Sequence, residues 1–159
     1  MADNAQKTTA PTCDVVLTRV FNAPRDVVFR AWTDPEQMAK WWGPDGFTNP
    51  VCEIDARPGG KIRIDMRAPD GIVYPMTGTF YDVEEPTRLV FSEVAEDLEG
   101  NALLKGHTIV TFEDQGGKTK ITVRSSAVGI APVAADMLKG MEMGWTQSLV
   151  RLDALVSRG

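Results

Sequence analysis

The sequence has one histidine, two cysteines and none of the common catalytic motifs. His107 is the only imidazole, so a mechanism that needs a histidine base must use it. Cys13 and Cys52 stand alone, with no CxxC pair or Cys/His cluster, and are predicted to be reduced thiols. GxSxG, HExxH and GxGxxG patterns are missing as well. No catalytic set can be assigned, and we expect neither a metal nor a cofactor.

The chain also lacks a long apolar run, a signal-peptide pattern and an excess of basic residues. Its formal net charge of −5 argues against a nucleic-acid partner, because phosphate binding needs a basic face. The acidic residues between Glu93 and Glu99, like the basic ones between Arg57 and Arg67, are predicted to form solvated faces. We therefore expect a cytoplasmic protein that neither inserts into membranes nor binds nucleic acid.

The N-terminal third is predicted to contain one strand and two short helices. Residues 1–12 are polar and are interpreted as a disordered lead-in to a single domain over residues 13–159. An apolar strand follows. Pro24 and Pro35 can each occupy the first turn of a helix, and Gly43 follows the second helix as a stop.

The middle of the chain shows the period of β-strands and the C-terminal part that of a helix. Between residues 46 and 128, alternating apolar residues and Gly- or Pro-containing turns predict about six strands in an antiparallel meander. From Pro132 onward, apolar residues recur every three or four positions, which predicts one amphipathic helix of about 25 residues. The apolar faces of sheet and helix must cover each other, so the fold class is a two-layer α+β domain.

Gly140 and Gly144 are unexpected inside the predicted C-terminal helix. Each glycine costs about 1 kcal/mol relative to alanine in a helix interior. The pair therefore indicates either a close approach of another element or space that is left vacant.

Five segments in order carry a family resemblance: FNAPRDVVFRAWTDPEQMAKWWGPDGF, ARPGGKIRIDMRAPDG, YPMTGTFYDVEEPTRLVFS, TIVTFEDQGGKTKITVR and GMEMGWTQSL. Over residues 14–157 the chain resembles the activator of Hsp-90 ATPase homologue branch of the START-like (SRPBCC) superfamily. The resemblance implies a helix-grip fold, in which a curved antiparallel sheet of about six to seven strands surrounds a long C-terminal helix. It also implies two short helices after the first strand, and an apolar cavity between sheet and long helix.

Alternation along the strands and helical spacing select the residues that would line such a cavity. The predicted ligand-binding residues are Trp41, Trp42, Ile64, Met66, Tyr74, Met76, Phe80, Phe91, His107, Met137, Met141 and Trp145. Adjacent helical residues cannot face the same way, so Trp42 is assigned to the core and Trp41 to the cavity mouth. Tyr74, Thr79 and His107 are candidates for orienting a ligand.

These observations favour a non-enzymatic protein that binds a small hydrophobic or aromatic molecule. Two alternatives stay open: a metabolite enzyme of the polyketide cyclase type that uses His107 or a pocket carboxylate, and a co-chaperone-like interaction module. The chaperone activator that gives the family its name has an additional domain, which the residues outside 14–157 are too few to supply. A homodimer is also left open.

Overall fold

A seven-stranded antiparallel sheet forms one layer of the protein. The computed structural model describes residues 10–157. The strands are β1 Thr12–Phe21, β2 Thr48–Ile54, β3 Lys61–Arg67, β4 Val73–Glu84, β5 Arg88–Glu96, β6 Ala102–Gln115 and β7 Lys118–Gly129. Their order across the sheet is β1-β7-β6-β5-β4-β3-β2, so β1 lies beside β7 at one edge and the rest form a meander.

Within residues 10–157, four helices belong to the second layer: α1 Arg25–Thr33, α2 Pro35–Trp41, α3 Ala134–Lys139 and α4 Met141–Val156. The two short helices after the first strand are thus confirmed. Asp34 caps α2 by accepting a hydrogen bond from the backbone N–H of Glu36 at 3.0 Å, and Pro35 occupies the first turn.

The prediction of one continuous C-terminal helix is wrong, because the helix is interrupted at Gly140. The N–H of Gly140 donates to the carbonyl oxygen of Met137, 3.2 Å away. This hydrogen bond between residues three apart is of the 3₁₀ type and closes the last turn of α3. Gly140 has φ −89° and ψ 0°, outside the usual helical range, and α4 starts at the next residue. The periodicity continues across the break, which is why the sequence pattern did not show it.

Strand alternation directs one face of the sheet toward the helices. In β7, buried and more exposed residues alternate along most of the strand, with Ile121 and Val123 fully buried. Phe112 on β6 and Leu89 on β5 continue this apolar face. The result is the α+β helix-grip architecture that the family resemblance implied.

The core between the sheet and the helices contains all four tryptophans. Trp32 on α1 has its ring centroid 4.6 Å from that of Trp41, 6.4 Å from that of Trp42 and 6.0 Å from that of Trp145. The indole N–H of Trp41 donates to the carbonyl oxygen of Ala31 at 2.9 Å, so this polar group is satisfied inside the core. The contacts of Trp32 with Trp41 and Trp42 are edge-to-face and that with Trp145 is stacked, and such aromatic contacts add to the stabilisation from apolar burial.

The predicted lead-in, residues 1–12, lies mostly outside the described residues. Thr12, the last residue of that segment, belongs to β1. The division into a lead-in and a domain stays a prediction. Among residues 10–157, no helix is both long and apolar enough to cross a membrane.

Trp41→Ala is expected to destabilise the protein strongly. Trp41 is 0% exposed, so truncation creates a cavity and removes the hydrogen bond to Ala31. We expect the free energy of unfolding to fall by roughly 3–5 kcal/mol, measured by urea denaturation. Val150→Ala on the solvent face of α4, where Val150 is 61% exposed, is the control and should change it by less than about 0.5 kcal/mol. Equal effects of the two substitutions would contradict the core assignment.

Candidate ligand-binding site

A cavity of about 370 Å³ lies between the sheet and helices α3 and α4. Its floor is formed by inward-facing residues of β3 to β7, and its other walls by the two helices and the loop after α2. The walls are mostly apolar, and the cavity is open to solvent. Small-molecule sites in proteins typically have volumes of about 300–1,000 Å³ and similar apolar walls.

Small residues keep this space open on both layers. Gly140 and Gly144 line the cavity from the helices, and Ala95 and Ala127 line it from the sheet. A Cβ atom added at Gly144 would meet only Pro44 Cγ, at 3.7 Å, and one added at Gly140 would meet only the Met137 carbonyl oxygen, at 3.8 Å. Neither glycine is therefore required by close packing. Of the two interpretations of this pair, the structure supports vacant space.

The structure brings together seven of the twelve predicted ligand-binding residues. Those that line the cavity are Trp42, Met66, Tyr74, Met76, Met137, Met141 and Trp145. Those that lie elsewhere are Trp41, Ile64, Phe80, Phe91 and His107. Ligand binding by the first group stays a prediction.

The assignment of the two adjacent tryptophans is reversed in the structure. Trp41 is 0% exposed and packs in the core, whereas Trp42 is 8% exposed and lines the cavity. Trp42 follows the last residue of α2 and has extended backbone angles, φ −66° and ψ 133°. Helical spacing therefore does not apply between these two residues, and it could not assign their directions.

Ile64, Phe80 and Phe91 face inward as predicted but belong to the packed part of the core. They surround a void of only about 10 Å³ beside Trp32. A space of that size holds no ligand, so these residues support the tryptophans and do not form the cavity wall.

His107 is exposed and lies on the opposite face of the sheet. Its neighbour Thr108 is fully buried on the inward face, and successive strand residues point to opposite faces. The His107 ring lies 5.8 Å from that of Tyr81. The prediction that His107 orients a ligand in the cavity is therefore wrong.

Glu93 on β5 is an ionisable residue that lines the cavity and that the sequence analysis did not assign to it. Its Oε1 accepts hydrogen bonds from Thr108 Oγ1 at 2.5 Å and from Ser125 Oγ at 3.4 Å. Glu93 pairs with Gly106 on β6, and a Cβ atom there would lie 3.1 Å from Oε1. The missing side chain of Gly106 thus makes room for the carboxylate. Oε2 is shielded from solvent and has no hydrogen-bond partner among the described residues.

The environment of Glu93 changes its acidity. Burial raises the pKa of this carboxyl to about 7, although the hydrogen bonds from Thr108 and Ser125 act in the opposite direction. A proton can therefore be gained or lost here near neutral pH. The alternation of Phe91, Glu93 and Ala95 along β5 was a signal that could have placed Glu93 inward.

Two residues of α4 hold the loop that forms one wall of the cavity. Nη1 of Arg151 donates to three successive carbonyl oxygens, those of residues 42–44, at 3.1 to 3.3 Å. Ser148 Oγ accepts from the N–H of Gly43 and donates to its carbonyl oxygen, each at 3.0 Å. These bonds pair backbone groups of the loop, which lie outside any helix or strand. They attach the loop firmly to α4.

Comparisons with known proteins agree with this architecture. The family model described as Activator of Hsp90 ATPase homolog 1-like protein matches residues 22–157. The chain belongs to this family. The family resemblance and the START-like fold inferred from the sequence are thereby confirmed. No curated protein matches the chain at a significant level.

Solved structures of bacterial proteins share the fold over nearly the whole chain. A Chromobacterium violaceum protein is 28% identical, with a TM-score of 0.77, and the match covers 92% of this chain and 99% of that one. A Mycobacterium smegmatis protein is 26% identical, with a TM-score of 0.75 and coverage of 92% and 91%. A Silicibacter pomeroyi AHSA1 protein is 24% identical, with a TM-score of 0.75 and coverage of 89% and 96%, and supports the fold alone.

Glu93→Gln is expected to stabilise the protein in a pH-dependent way. A carboxyl whose pKa is raised on folding binds more protons in the native state, so its contribution to stability decreases as pH rises from about 4.5 to about 7. The glutamine variant lacks this titration. Urea denaturation should give similar stabilities at pH 5, and at pH 8 the variant should be more stable by on the order of 2–3 kcal/mol. An equal difference at both pH values would contradict the raised pKa.

Proposed function

We propose that this protein binds a small hydrophobic or aromatic molecule in the cavity between the sheet and the C-terminal helices. The observation that carries the proposal is the cavity itself, which is open, mostly apolar and about 370 Å³ in volume. Membership of the family is consistent with ligand binding or a related role.

The chemistry of the cavity walls supports an apolar ligand. Trp42 and Trp145 provide two indole rings whose centroids are 5.4 Å apart at a steep angle. Met66, Met137 and Met141 add flexible thioether side chains, which adapt to ligands of different shapes. Burial of apolar ligand surface against these groups would supply the affinity, at roughly 25 cal/mol per Å² of area removed from water before the cost of association.

Glu93 favours a second candidate function, that of an enzyme acting on a metabolite. A carboxyl with a pKa of about 7 in an apolar cavity can act as a general acid or base near neutral pH. The histidine version of this hypothesis has no support, since His107 lies on the other face of the sheet. Contact with a chaperone, a homodimer and a cytoplasmic location stay predictions from the sequence.

The enzymatic alternative makes its own prediction. Wild-type protein incubated with a small-molecule cell extract should deplete a metabolite, as followed by mass spectrometry. Glu93→Gln should abolish the depletion, and His107→Ala should leave it unchanged. An unaltered extract, or turnover that survives Glu93→Gln, would count against an enzyme of this kind.

The binding proposal is tested by filling the cavity from Gly144. N-phenyl-1-naphthylamine is a neutral apolar probe whose fluorescence rises in apolar surroundings, and we expect it to bind wild-type protein with one-to-one stoichiometry. Gly144→Leu should weaken this binding at least tenfold, because the added side chain enters the cavity.

Gly144→Ala is the matched control for this experiment. It should bind the probe within about threefold of wild type and gain up to about 1 kcal/mol of stability from helix propensity. Probe binding that is unaffected by Gly144→Leu, or no binding by wild-type protein, would contradict the proposed function.

A further inference from the structure

We propose that the ligand carries a positively charged nitrogen with N–H donors, such as a primary ammonium group, on its apolar body, and that Oε2 of Glu93 accepts a hydrogen bond from it. This inference rests on the proposed function, because it names the class of molecule that the same cavity takes.

The two carboxylate oxygens of Glu93 differ in their hydrogen bonding. Oε1 is held by Thr108 and Ser125, which fixes the orientation of the carboxylate group above Gly106. Oε2 is shielded from solvent and has no partner among the described residues. Buried polar atoms are nearly always hydrogen-bonded, so an acceptor without a donor, in a side chain that lines the cavity, fits a donor that a ligand brings.

The ionisable side chains that line the cavity are mostly acidic. Three of the lining residues carry carboxyl groups: Glu93 on the floor, Glu96 from the same strand and Asp136 at the exposed rim on α3. None of the described residues that line the cavity is a lysine, an arginine or a histidine. Apolar walls lower the local dielectric constant and strengthen the field of these carboxylates, whereas the Arg151 guanidinium is hydrogen-bonded to the loop carbonyl oxygens and does not line the cavity. The lining side chains therefore favour a cation over an anion.

Glu93 differs from the other two cavity carboxylates in its hydrogen bonding and its exposure to water. Oε2 of Glu96 already accepts a hydrogen bond from Thr77 Oγ1 at 2.9 Å. Asp136 is exposed, so water screens its charge. Glu93 alone combines an unpartnered oxygen with an apolar setting. The indole rings of Trp42 and Trp145 on the same cavity are compatible with a cation, since their faces carry negative electrostatic potential.

Three naphthalene derivatives with the same apolar body test this inference: 2-naphthylmethylamine, 2-naphthalenemethanol and 2-naphthoate. Isothermal titration calorimetry at pH 8 should give an affinity for the amine at least tenfold higher than for the alcohol, with naphthoate weakest. This ranking is measured on wild-type protein and needs no variant.

Three variants then locate the effect. Glu93→Gln should lower the amine affinity at least tenfold and leave the alcohol within about threefold of wild type. Glu99→Gln and Glu113→Gln, at exposed carboxylates that do not line the cavity, are the matched controls, and each should change the amine affinity less than threefold.

The pH dependence gives an independent measurement. The amine stays protonated between pH 6 and pH 8, whereas Glu93 loses its proton in this range, so the amine affinity should rise about tenfold. Besides Glu93, the titratable groups that face the cavity are Glu96 on β5, Tyr74 on β4 and Asp136 on α3. The residues of β3, β6, β7 and α4 that line the cavity have no titratable side chain. The rise should be absent in Glu93→Gln.

The outcomes distinguish this inference from the proposed function. If the alcohol or naphthoate binds wild-type protein as tightly as the amine, or if Glu93→Gln keeps the preference for the amine, the inference is wrong and the cavity remains a binding site for apolar molecules. If none of the three compounds binds, both the inference and the proposed function are wrong.

Discussion

The packing of Trp145 against Trp32 and Trp42 determines where the C-terminal helix lies above the sheet. The Trp145 ring is stacked on that of Trp32 with centroids 6.0 Å apart, and it meets Trp42 edge to face at 5.4 Å. Ser148 and Arg151, further along α4, hold the loop after α2 by hydrogen bonds to its backbone. This contact region fills one part of the space between the layers. Another part, beside Gly140 and Gly144, stays open as the cavity.

The open half carries features that folding alone does not require. A carboxylate in apolar surroundings costs stability, and its unpartnered oxygen adds to that cost. Gly144 lowers the stability of α4 without relieving any close contact. Leucine or methionine at such positions would fill the space and stabilise the domain. Features that reduce stability and lie together on one cavity are most simply explained by a ligand.

Most of the fold could be predicted from the sequence, whereas the residues that line the cavity could be predicted only in part. Alternation in strands and the positions of Pro24 and Pro35 are local signals, so the layout of strands and short helices followed from them. Trp41 and Trp42 could not be oriented, because α2 ends between them and that boundary depends on tertiary contacts. Glu93 was interpreted as a solvated residue, since its setting is created by Gly106, Thr108 and Ser125, which are distant in sequence and adjacent only in the sheet.

The central claim is that the cavity between the sheet and the helices binds a small molecule. A crystal structure of the protein with N-phenyl-1-naphthylamine tests it most directly. We expect electron density for the probe inside the cavity, in contact with Trp42, Met66 and Trp145. The buried side chains of the core should keep their positions. A crystal in which the cavity is closed by repacked side chains, or in which the probe lies only on the outer surface, would contradict it.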